Sequence, residues 1–349
     1  MTAHRFESTL DLARLPYFEI RDGRLAVADP GLRTIDVHTH LALSFVRNGA
    51  LDLVHGTGPT QHYLPVERPL DLDVYINRNF SAGDLVRLKK DLSVACLTAG
   101  GMRATHTVDN LTREMADLGI THSVLLAIDF PAPLSRNTEA YLEAARGREE
   151  LIVFGSVHPF EVDADRVLDR QVAAGIRGLK VHPAVQVVSP ENTEALRLYR
   201  HCGRHGLPVL WHCGPVDIEL PLGRRLSQVR LYRRAIEQTP EVTFILGHSG
   251  ALQMERALEF AREFPNVWLE LSSQSITNVR RILDEAPIDR VTMGSDWPFY
   301  HQAIPLAKIL LATEDRLEIR SRVLWDNAAR LLGLAPAVRE PELEECGTR

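Results

Sequence analysis

Short apolar runs recur along the chain, and each is followed by a longer segment with helical spacing. Eight such runs follow residue 31: TIDVH (34–38), SVLLAI (123–128), LIVFGSV (151–157), GLKVH (178–182), PVLWH (208–212), VTFILGH (242–248), VWLEL (267–271) and VTMGS (291–295). They are rich in β-branched residues and nearly continuous in apolarity, which is typical of strands buried on both faces of a parallel sheet. The alternation therefore predicts an α/β protein.

The segments between the runs carry helix signals. Apolar residues at helical spacing occur in 192–202 and 253–264, and a last predicted helix covers 319–332, with Gly333 as its C-cap. Eight strands that alternate with helices at about 25–35 residues per unit predict a distorted (β/α)8 TIM barrel. An open, doubly wound sheet of eight strands is the alternative on topology alone.

Three segments depart from the regular alternation of the barrel, which is expected over residues 32–334. Residues 1–31 contain two short runs around Asp22-Gly23, which predict a hairpin segment. About 80 residues separate the first two strands, too many for a structureless connection. Residues 41–121 are therefore interpreted as an inserted cap region on the first βα loop, with a helix near 108–118. Residues 335–349 are acidic and punctuated by proline, which predicts a loose C-terminal tail.

Charge and cysteine usage argue against several classes of protein. The 349 residues include 40 Lys and Arg and 46 Asp and Glu, and the net charge of −6 argues against binding to nucleic acid. Because no long apolar run occurs, we expect neither a membrane span nor a signal peptide. The cysteines lie far apart and predict reduced thiols: Cys96, Cys202, Cys213 and Cys346. We expect a cytoplasmic protein with a small-molecule substrate, and homo-oligomer formation stays open.

Polar residues stand at the ends of four of the predicted strands. The first strand runs into Asp36, His38 and His40, which should point the same way because side chains alternate across a strand. The other strand ends carry His212, His248 and Asp296. A TIM barrel places its catalytic residues at these positions, and burying so many polar groups for packing alone would be costly. Histidine and carboxylate side chains are the expected ligands of a Zn²⁺-like ion.

The ordered motifs resemble those of the amidohydrolase superfamily, and most closely its amidohydrolase-2 branch of metal-dependent hydrolases and decarboxylases. They are D-x-H-T-H, G-L-K-V-H-P, H-C-G, G-H-S-G, S-D-W-P and N-A-A-R-L-L-G-L, spread over residues 32–334. The resemblance implies a metal at the C-terminal face of the barrel. It implies that His38, His40, His212 and Asp296 are metal ligands. It also implies that His248 contacts the catalytic water or the substrate.

The fourth strand leaves the number of metal ions open. Lys180 and His182 share a face of this strand, and binuclear relatives carry a carboxylated lysine there. Lys180 could bridge a second ion, in which case His212 and His248 would bind that ion. The other interpretation is that Lys180 and His182 contact the substrate. We expect a single divalent ion with an unmodified lysine; Zn²⁺ is the first choice, and Mn²⁺, Fe²⁺ or Co²⁺ are alternatives.

The donor set suits hydrolysis. Three neutral imidazoles and one carboxylate leave a net charge of +1 around a divalent ion, which activates water and polarises a carbonyl. Asp296 would accept the proton, and His248 would bind the water or the oxyanion. The expected reaction is hydrolysis of an amide, ester or lactone in a small molecule. Decarboxylation or hydration of a small carboxylic acid is the alternative, and a binding barrel without turnover is a third hypothesis.

Other residues near the strand ends have a competing interpretation. Trp297, Phe299 and Tyr300 follow Asp296 on a loop and are interpreted as a wall of the substrate pocket. G-H-S-G-A around Ser249 is similar to the nucleophile elbow of α/β-hydrolases, but its second glycine is displaced. A serine nucleophile would also leave the strand-end histidines unexplained. Four residues of the cap region could contact a substrate, but a solvated surface position is at least as well supported for each of them: His62, Tyr63, Arg103 and His106.

Overall fold

The computed structural model describes residues 4–43, 51–56, 58–93, 100–131 and 134–334. The strands are, in chain order, β1 (Arg5–Phe6), β2 (Phe18–Arg21), β3 (Arg24–Val27), β4 (Thr34–Thr39), β5 (Leu70–Asp71), β6 (Ile120–Leu126), β7 (Leu151–Gly155), β8 (Gly178–Val181), β9 (Val209–His212), β10 (Phe244–Gly247), β11 (Val267–Glu270) and β12 (Val291–Thr292). The predicted C-terminal tail, Cys96 and Cys346 lie outside the described residues.

Helices follow or precede these strands in regular alternation. They are α1 (Ala82–Ser93), α2 (Val108–Asp117), α3 (Asn137–Ala144), α4 (Ala164–Ala173), α5 (Pro183–Gln186), α6 (Thr193–Arg204), α7 (Pro221–Leu226), α8 (Arg233–Gln238), α9 (Met254–Glu263), α10 (Ile276–Glu285), α11 (Ala303–Ala312), α12 (Leu317–Ser321) and α13 (Asn327–Leu332). Short 3₁₀ turns cover Thr9–Arg14, Ile76–Asn79, Met102–Thr105, Val229–Tyr232, His248–Gln253 and Ile288–Arg290, and a π turn covers Arg322–Asp326.

One parallel sheet contains β4 and the seven strands from β6 to β12, and each strand pairs with the strand of this sheet that follows it in the chain. Backbone hydrogen bonds bring the two edge strands together. The N–H of Val37 donates to the carbonyl of Met293 at 3.1 Å. The N–H of Asp296 donates to the carbonyl of His38 at 2.7 Å. A doubly wound sheet would reverse its strand order. The prediction of a TIM barrel is confirmed, and the open-sheet alternative is wrong.

The barrel interior is apolar at one end and polar at the other. One apolar cluster joins residues of six barrel strands, among them Ile35, Phe154, Leu210, Ile245 and Trp268. Side chains from so many strands can meet only inside the barrel. Residues of α13 join this cluster and cover the amino-terminal end of the strands. The opposite end, where the strands finish, is left for the polar side chains.

The segment before the barrel is tied to the cap region. Asp22 and Gly23, both with positive φ, form the turn of the β2–β3 hairpin. Antiparallel pairing of Arg5 with Asp71 joins β1 to β5, so the first residues of the chain and the cap region share a small sheet. Among the described residues, no helix combines the length and apolar character needed to cross a membrane.

Candidate metal centre

Three ligand atoms converge at the carboxyl ends of β4 and β12. The Nε2 atoms of His38 and His40 each lie 3.5 Å from Oδ1 of Asp296. All three ligand atoms lie within 4.8 Å of one another, and each residue is less than a tenth exposed. Two imidazoles and one carboxylate at this spacing form a facial set that can surround a single divalent ion.

The hydrogen bonds made by Nδ1 of each imidazole place its proton on the ring nitrogen that is farther from Asp296. Nδ1 of His38 lies 2.7 Å from Oε2 of Glu270, and Nδ1 of His40 lies 2.8 Å from the carbonyl of Leu126. Both partners only accept, so each Nδ1 carries the proton and each Nε2 presents a lone pair. The residues present therefore fit a divalent metal ion.

Asp36 orients the loop that carries Asp296 instead of pointing with the histidines. The pairing of β4 with β6 shifts register between Asp36 and Thr39, which interrupts the expected alternation. The Asp36 carboxylate accepts from the backbone N–H of Ser295 at 2.9 Å and from its hydroxyl at 2.5 Å. Burial raises the pKa of Asp36 to about 6, and these hydrogen bonds oppose that shift. They hold Asp296 at its positive φ of 64°.

Glu270, at the end of β11, is a site residue that the sequence analysis missed. Its side chain is fully buried and accepts from Nδ1 of His38, from the backbone N–H of His248 at 3.0 Å, and from the backbone N–H and hydroxyl of Ser272. Burial raises the pKa of Glu270 to about 7, although those donors lower it. A charged residue within the apolar run VWLEL was the one available signal.

His212 and His248 are joined by a chain of hydrogen bonds that begins at Glu270. The Ser272 hydroxyl donates to Glu270 at 2.8 Å, so it accepts from Nδ1 of His248, 2.7 Å away. Nε2 of His248 then accepts from Nδ1 of His212 at 3.1 Å. This assignment leaves Nε2 of His212 with a lone pair, while both ring nitrogens of His248 have partners.

Among the described residues, the group with metal-ligand spacing around Asp296 contains His38 and His40 but not His212. Its ring stacks on that of His182, with centroids 4.0 Å apart and planes inclined by 9°. Burial lowers the pKa of both imidazoles, that of His212 to about 3. Nδ1 of His182 is buried and makes no hydrogen bond to the described residues, so a ligand or water is needed to satisfy it.

Lys180, from β8, points directly at the predicted ligands. Its side chain is 1% exposed, and Nζ lies 3.3 Å from Nε2 of His38. Burial lowers the pKa of Lys180 to about 8, and the negative charges of Asp296 and Glu270 oppose that shift. Lys180 is thus a buried cation that borders the site.

A second group with metal-ligand spacing contains His38, His248 and Glu270. Its members already hydrogen-bond one another, since Glu270 accepts from the His38 ring and from the His248 backbone. An ion bound to Glu270 and to Nδ1 of His38 would have to replace the 2.7 Å contact between them. The arrangement therefore favours one ion at His38, His40 and Asp296.

The three residues predicted to form a pocket wall occupy different environments. Phe299 packs edge-on to His40, with ring centroids 6.3 Å apart. Tyr300 is 4% exposed, and its hydroxyl hydrogen-bonds Asn77 of the cap region. Trp297 is fully buried. Its indole N–H donates to Glu114 of α2 at 3.2 Å, which directs the ring toward α2.

The cap-region residues pack among themselves. His62 contacts Oε2 of Glu114 at 2.9 Å, the Tyr63 hydroxyl donates to Asp91 at 2.8 Å, and His106 contacts the carbonyl of Gln61 at 2.9 Å. Arg103 is 2% exposed, and its backbone N–H donates to Asp91. The contacts described for these four residues are thus made with other residues of the chain.

The serine-nucleophile alternative finds no support in the described geometry. Ser249 is fully buried, and its hydroxyl donates to the backbone carbonyl of Glu270 at 2.8 Å. A serine nucleophile would also need a histidine base, and His301 follows Ser249 in the chain order of α/β-hydrolases. His301 lies instead beside Glu114, with Nδ1 3.4 Å from Oε1. The serine therefore stabilises the strained turn after β10, in which His248, Ser249 and Ala251 all have positive φ.

Fold and site together define a (β/α)8 barrel with a histidine–carboxylate group that could hold a metal ion at the carboxyl ends of its strands. The family model described as amidohydrolase matches residues 35–334. The chain therefore belongs to this amidohydrolase family, whose members are metal-dependent enzymes. No curated protein sequence matches the chain.

Solved structures show the same fold at low identity. An uncharacterized TIM-barrel protein from Bordetella bronchiseptica superposes with a TM-score of 0.59 at 16% identity, covering 86% of this chain and 99% of that one. The 5-carboxyvanillate decarboxylase from Sphingomonas paucimobilis gives 0.59 at 15% identity, covering 87% and 100%. A putative 2-pyrone-4,6-dicarboxylic acid hydrolase from Pseudomonas putida gives 0.55 at 16% identity, covering 86% and 98%. Hydrolases and decarboxylases thus share this fold.

Proposed function

We propose that this chain is a hydrolase that uses one divalent metal ion to cleave an amide, ester or lactone bond of a small molecule. The observation that carries the proposal is the convergence of two unprotonated Nε2 atoms, from His38 and His40, on one Asp296 carboxylate oxygen at 3.5 Å. His212 is the fourth ligand in this proposal, because its hydrogen bond to His248 leaves its Nε2 free. Zn²⁺ suits this donor set best.

When bound, such an ion lowers the pKa of a water molecule and polarises the substrate carbonyl. Asp296 would accept a proton, since its Oδ1 lies 3.5 Å from the Nε2 atoms of both imidazoles. Glu270 keeps the His38 ring in its binding tautomer through the 2.7 Å contact at Nδ1.

The charge of the site favours an acidic substrate. Lys180 places a buried ammonium group beside His38, and the carboxylates that oppose it most strongly are Asp296 and Glu270. Adding a divalent ion to one ammonium and two carboxylates leaves a net charge of +1. A substrate carboxylate close to Lys180 would neutralise this charge, and burial strengthens such an attraction.

Decarboxylation of a small carboxylic acid is the second candidate, and Lys180 is the observation that favours it. A buried cation beside the metal group can hold the carboxylate that is to be lost as readily as one that is retained. The two reactions differ in the fate of solvent. Hydrolysis incorporates a water oxygen into the product, whereas decarboxylation releases CO₂ and places a solvent proton on carbon.

The test is therefore a substrate panel with isotopic solvent. The chain is loaded with Zn²⁺ or Mn²⁺ and incubated with lactones, esters, amides and aromatic carboxylic acids, in H₂¹⁸O and separately in D₂O. We expect ¹⁸O in a product carboxylate, and no product with Asp296→Asn. Release of CO₂ with deuterium on carbon would establish the second candidate instead. Absence of both from the metal-loaded chain would overturn the proposed function.

A further inference from the structure

Another histidine–carboxylate group lies on the outside of the barrel. His201 and His205 stand one turn apart at the end of α6, and Asp169 faces them from α4. The Nε2 atoms of His201 and His205 lie 2.6 Å and 2.8 Å from the same Oδ1 atom of Asp169. In a (β/α)8 barrel the helices run antiparallel to the strands, so the end of α6 lies away from the strand ends that hold His38 and Asp296.

The three side chains of this group have a spacing that is compatible with a metal site. All three ligand atoms lie within 4.8 Å of one another, and the spacing of four residues puts both imidazoles on one face of the helix. The carboxyl end of a helix also favours a cation. Asp165, one turn before Asp169, has Oδ2 3.9 Å from the His201 ring. Its Oδ1 is buried and makes no hydrogen bond to the described residues.

We propose that Asp169, His201 and His205 bind one divalent transition-metal ion that links α4 to α6. Two imidazoles and a carboxylate suit Zn²⁺, Ni²⁺, Cu²⁺ or Co²⁺, whereas Mg²⁺ and Ca²⁺ prefer sites made of oxygen ligands alone. This site is separate from the barrel site and does not depend on the proposed function. Two metal ions per chain would then be expected without a binuclear catalytic centre.

Arg204 opposes metal binding at this surface site. Its guanidinium donates a hydrogen bond to Nδ1 of His201. A neutral imidazole carries one proton, so acceptance at Nδ1 places the proton on Nε2, the nitrogen that the metal needs. Arg204 is exposed and can move away when an ion binds. Its removal should therefore tighten binding, whereas removal of the exposed Arg200 on the same helix should not.

The experiment combines variants of the two sites and counts bound Zn²⁺. Equilibrium dialysis against Zn²⁺ with elemental analysis is applied to four proteins: wild type, a surface variant (Asp169→Asn with His205→Ala), a barrel variant (His38→Ala with Asp296→Ala) and the combination. His205 and Asp169 are the more exposed members of the group, with side chains 30% and 52% accessible, so the surface variant should fold normally. We expect two, one, one and no ions.

The melting temperature gives a second measurement. Zn²⁺ should raise the melting temperature of the barrel variant, because an ion that binds only the folded chain stabilises it, and the combined variant should show no such rise. In the barrel background, His205→Ala should raise the Zn²⁺ dissociation constant by more than the roughly 10–100-fold typical of losing an outer-sphere partner. Arg204→Ala should lower the dissociation constant, with Arg200→Ala as the matched control.

The outcomes separate this proposal from the proposed function. A barrel variant that binds no Zn²⁺, or a surface variant that binds as much as wild type, overturns the surface site. One ion in the wild type that is lost from the surface variant supports the surface site and contradicts the barrel site.

Discussion

The barrel group and the surface group contain the same ligands, two imidazoles and a carboxylate, yet their surroundings differ. His38 and His40 are at most 4% exposed, and their Nδ1 protons are held by Glu270 and by the carbonyl of Leu126. In the surface group, Asp169 is half exposed. It accepts hydrogen bonds from the two imidazole nitrogens that a metal would use. The barrel ligands are oriented before a metal arrives, whereas the surface ligands must first exchange protons.

The groups that hydrogen-bond the ligands, more than the ligand types, therefore decide how readily each site binds a metal ion. Outer-sphere acceptors fix the tautomer of an imidazole, and burial strengthens every interaction of the ion. We therefore expect the barrel site to bind metal more tightly than the surface site. The four predictions that follow test this contrast, beginning with the change that should have the largest effect.

Removing a barrel ligand should abolish the barrel site and leave the surface site intact. His38→Ala or Asp296→Ala takes away one of the three converging ligand atoms and should reduce barrel-bound metal well below one ion per chain. Catalytic turnover should fall with it. Measuring the metal content of each substitution within the surface variant, which lacks the surface site, isolates this effect. Normal metal content in both substituted proteins would contradict the assignment.

His248→Ala should separate two roles for this residue. If His248 contacts the catalytic water or substrate, turnover should fall about 10²–10⁴-fold while metal affinity stays nearly unchanged. If it acts by orienting His212, metal affinity should fall about 10–100-fold. Both ring nitrogens of His248 already make hydrogen bonds, which favours the second role, the orientation of His212. Parallel measurement of the metal dissociation constant and kcat decides between the two.

The histidine–carboxylate cluster around Glu114 should contribute stability and no metal binding. Glu114 lies between His62 and His301, but the indole of Trp297 and the backbone N–H of Gln302 also occupy its oxygens. Burial alone would raise the pKa of Glu114, but His301, His62 and the other donors lower it from 4.5 to about 2.

Because the folded-state pKa of Glu114 is lowered, its stabilisation is fully present above pH 4.5 and is lost as the pH falls toward 2. Glu114→Gln should reduce the free energy of unfolding at pH 7 by on the order of 1–3 kcal/mol, the usual cost of leaving buried donors without an acceptor. Urea unfolding should show that the difference between wild type and variant shrinks as the pH falls below 4.5. A difference that stays constant over this range would contradict the assignment.

Glu270→Gln should have the smallest effect of the four. The amide can still accept a hydrogen bond from Nδ1 of His38, but it no longer carries the negative charge that faces this ring. The dissociation constant of the barrel metal should rise about 10–100-fold, the range for an outer-sphere partner. Glu263→Gln, an exposed change on α9, is the matched control. An unchanged dissociation constant would assign Glu270 a purely structural role.

The pattern of the chain was sufficient for the architecture and for part of the site. The eight apolar runs predicted strands that form the barrel, because burial on both faces leaves a nearly continuous apolar signal. His38, His40 and Asp296 were found because a (β/α)8 barrel collects strand ends at one face. The metal-binding roles of His38, His40, His212 and Asp296 remain predictions, as does the catalytic role of His248.

Other features could not be predicted from the pattern because they depend on partners far apart in the chain. Glu270 is hidden in an apolar run, and only its 2.7 Å contact with His38 reveals what it does. Asp36 was expected beside the histidines, but a register shift in β4 turned it toward Ser295. Trp297 follows Asp296 directly, yet its indole faces Glu114.

Local sequence alone thus determined which residues form strands and helices and which strand ends carry imidazole or carboxylate groups. These properties depend on neighbours within a few residues, where apolar periodicity and backbone preferences act. Tertiary structure alone decided which nitrogen of each imidazole carries its proton and which carboxylate each imidazole meets. Asp169 lies 32 residues before His201, and 232 residues separate His38 from Glu270. Hydrogen bonds at such separations exist only once the barrel has closed and packed its helices.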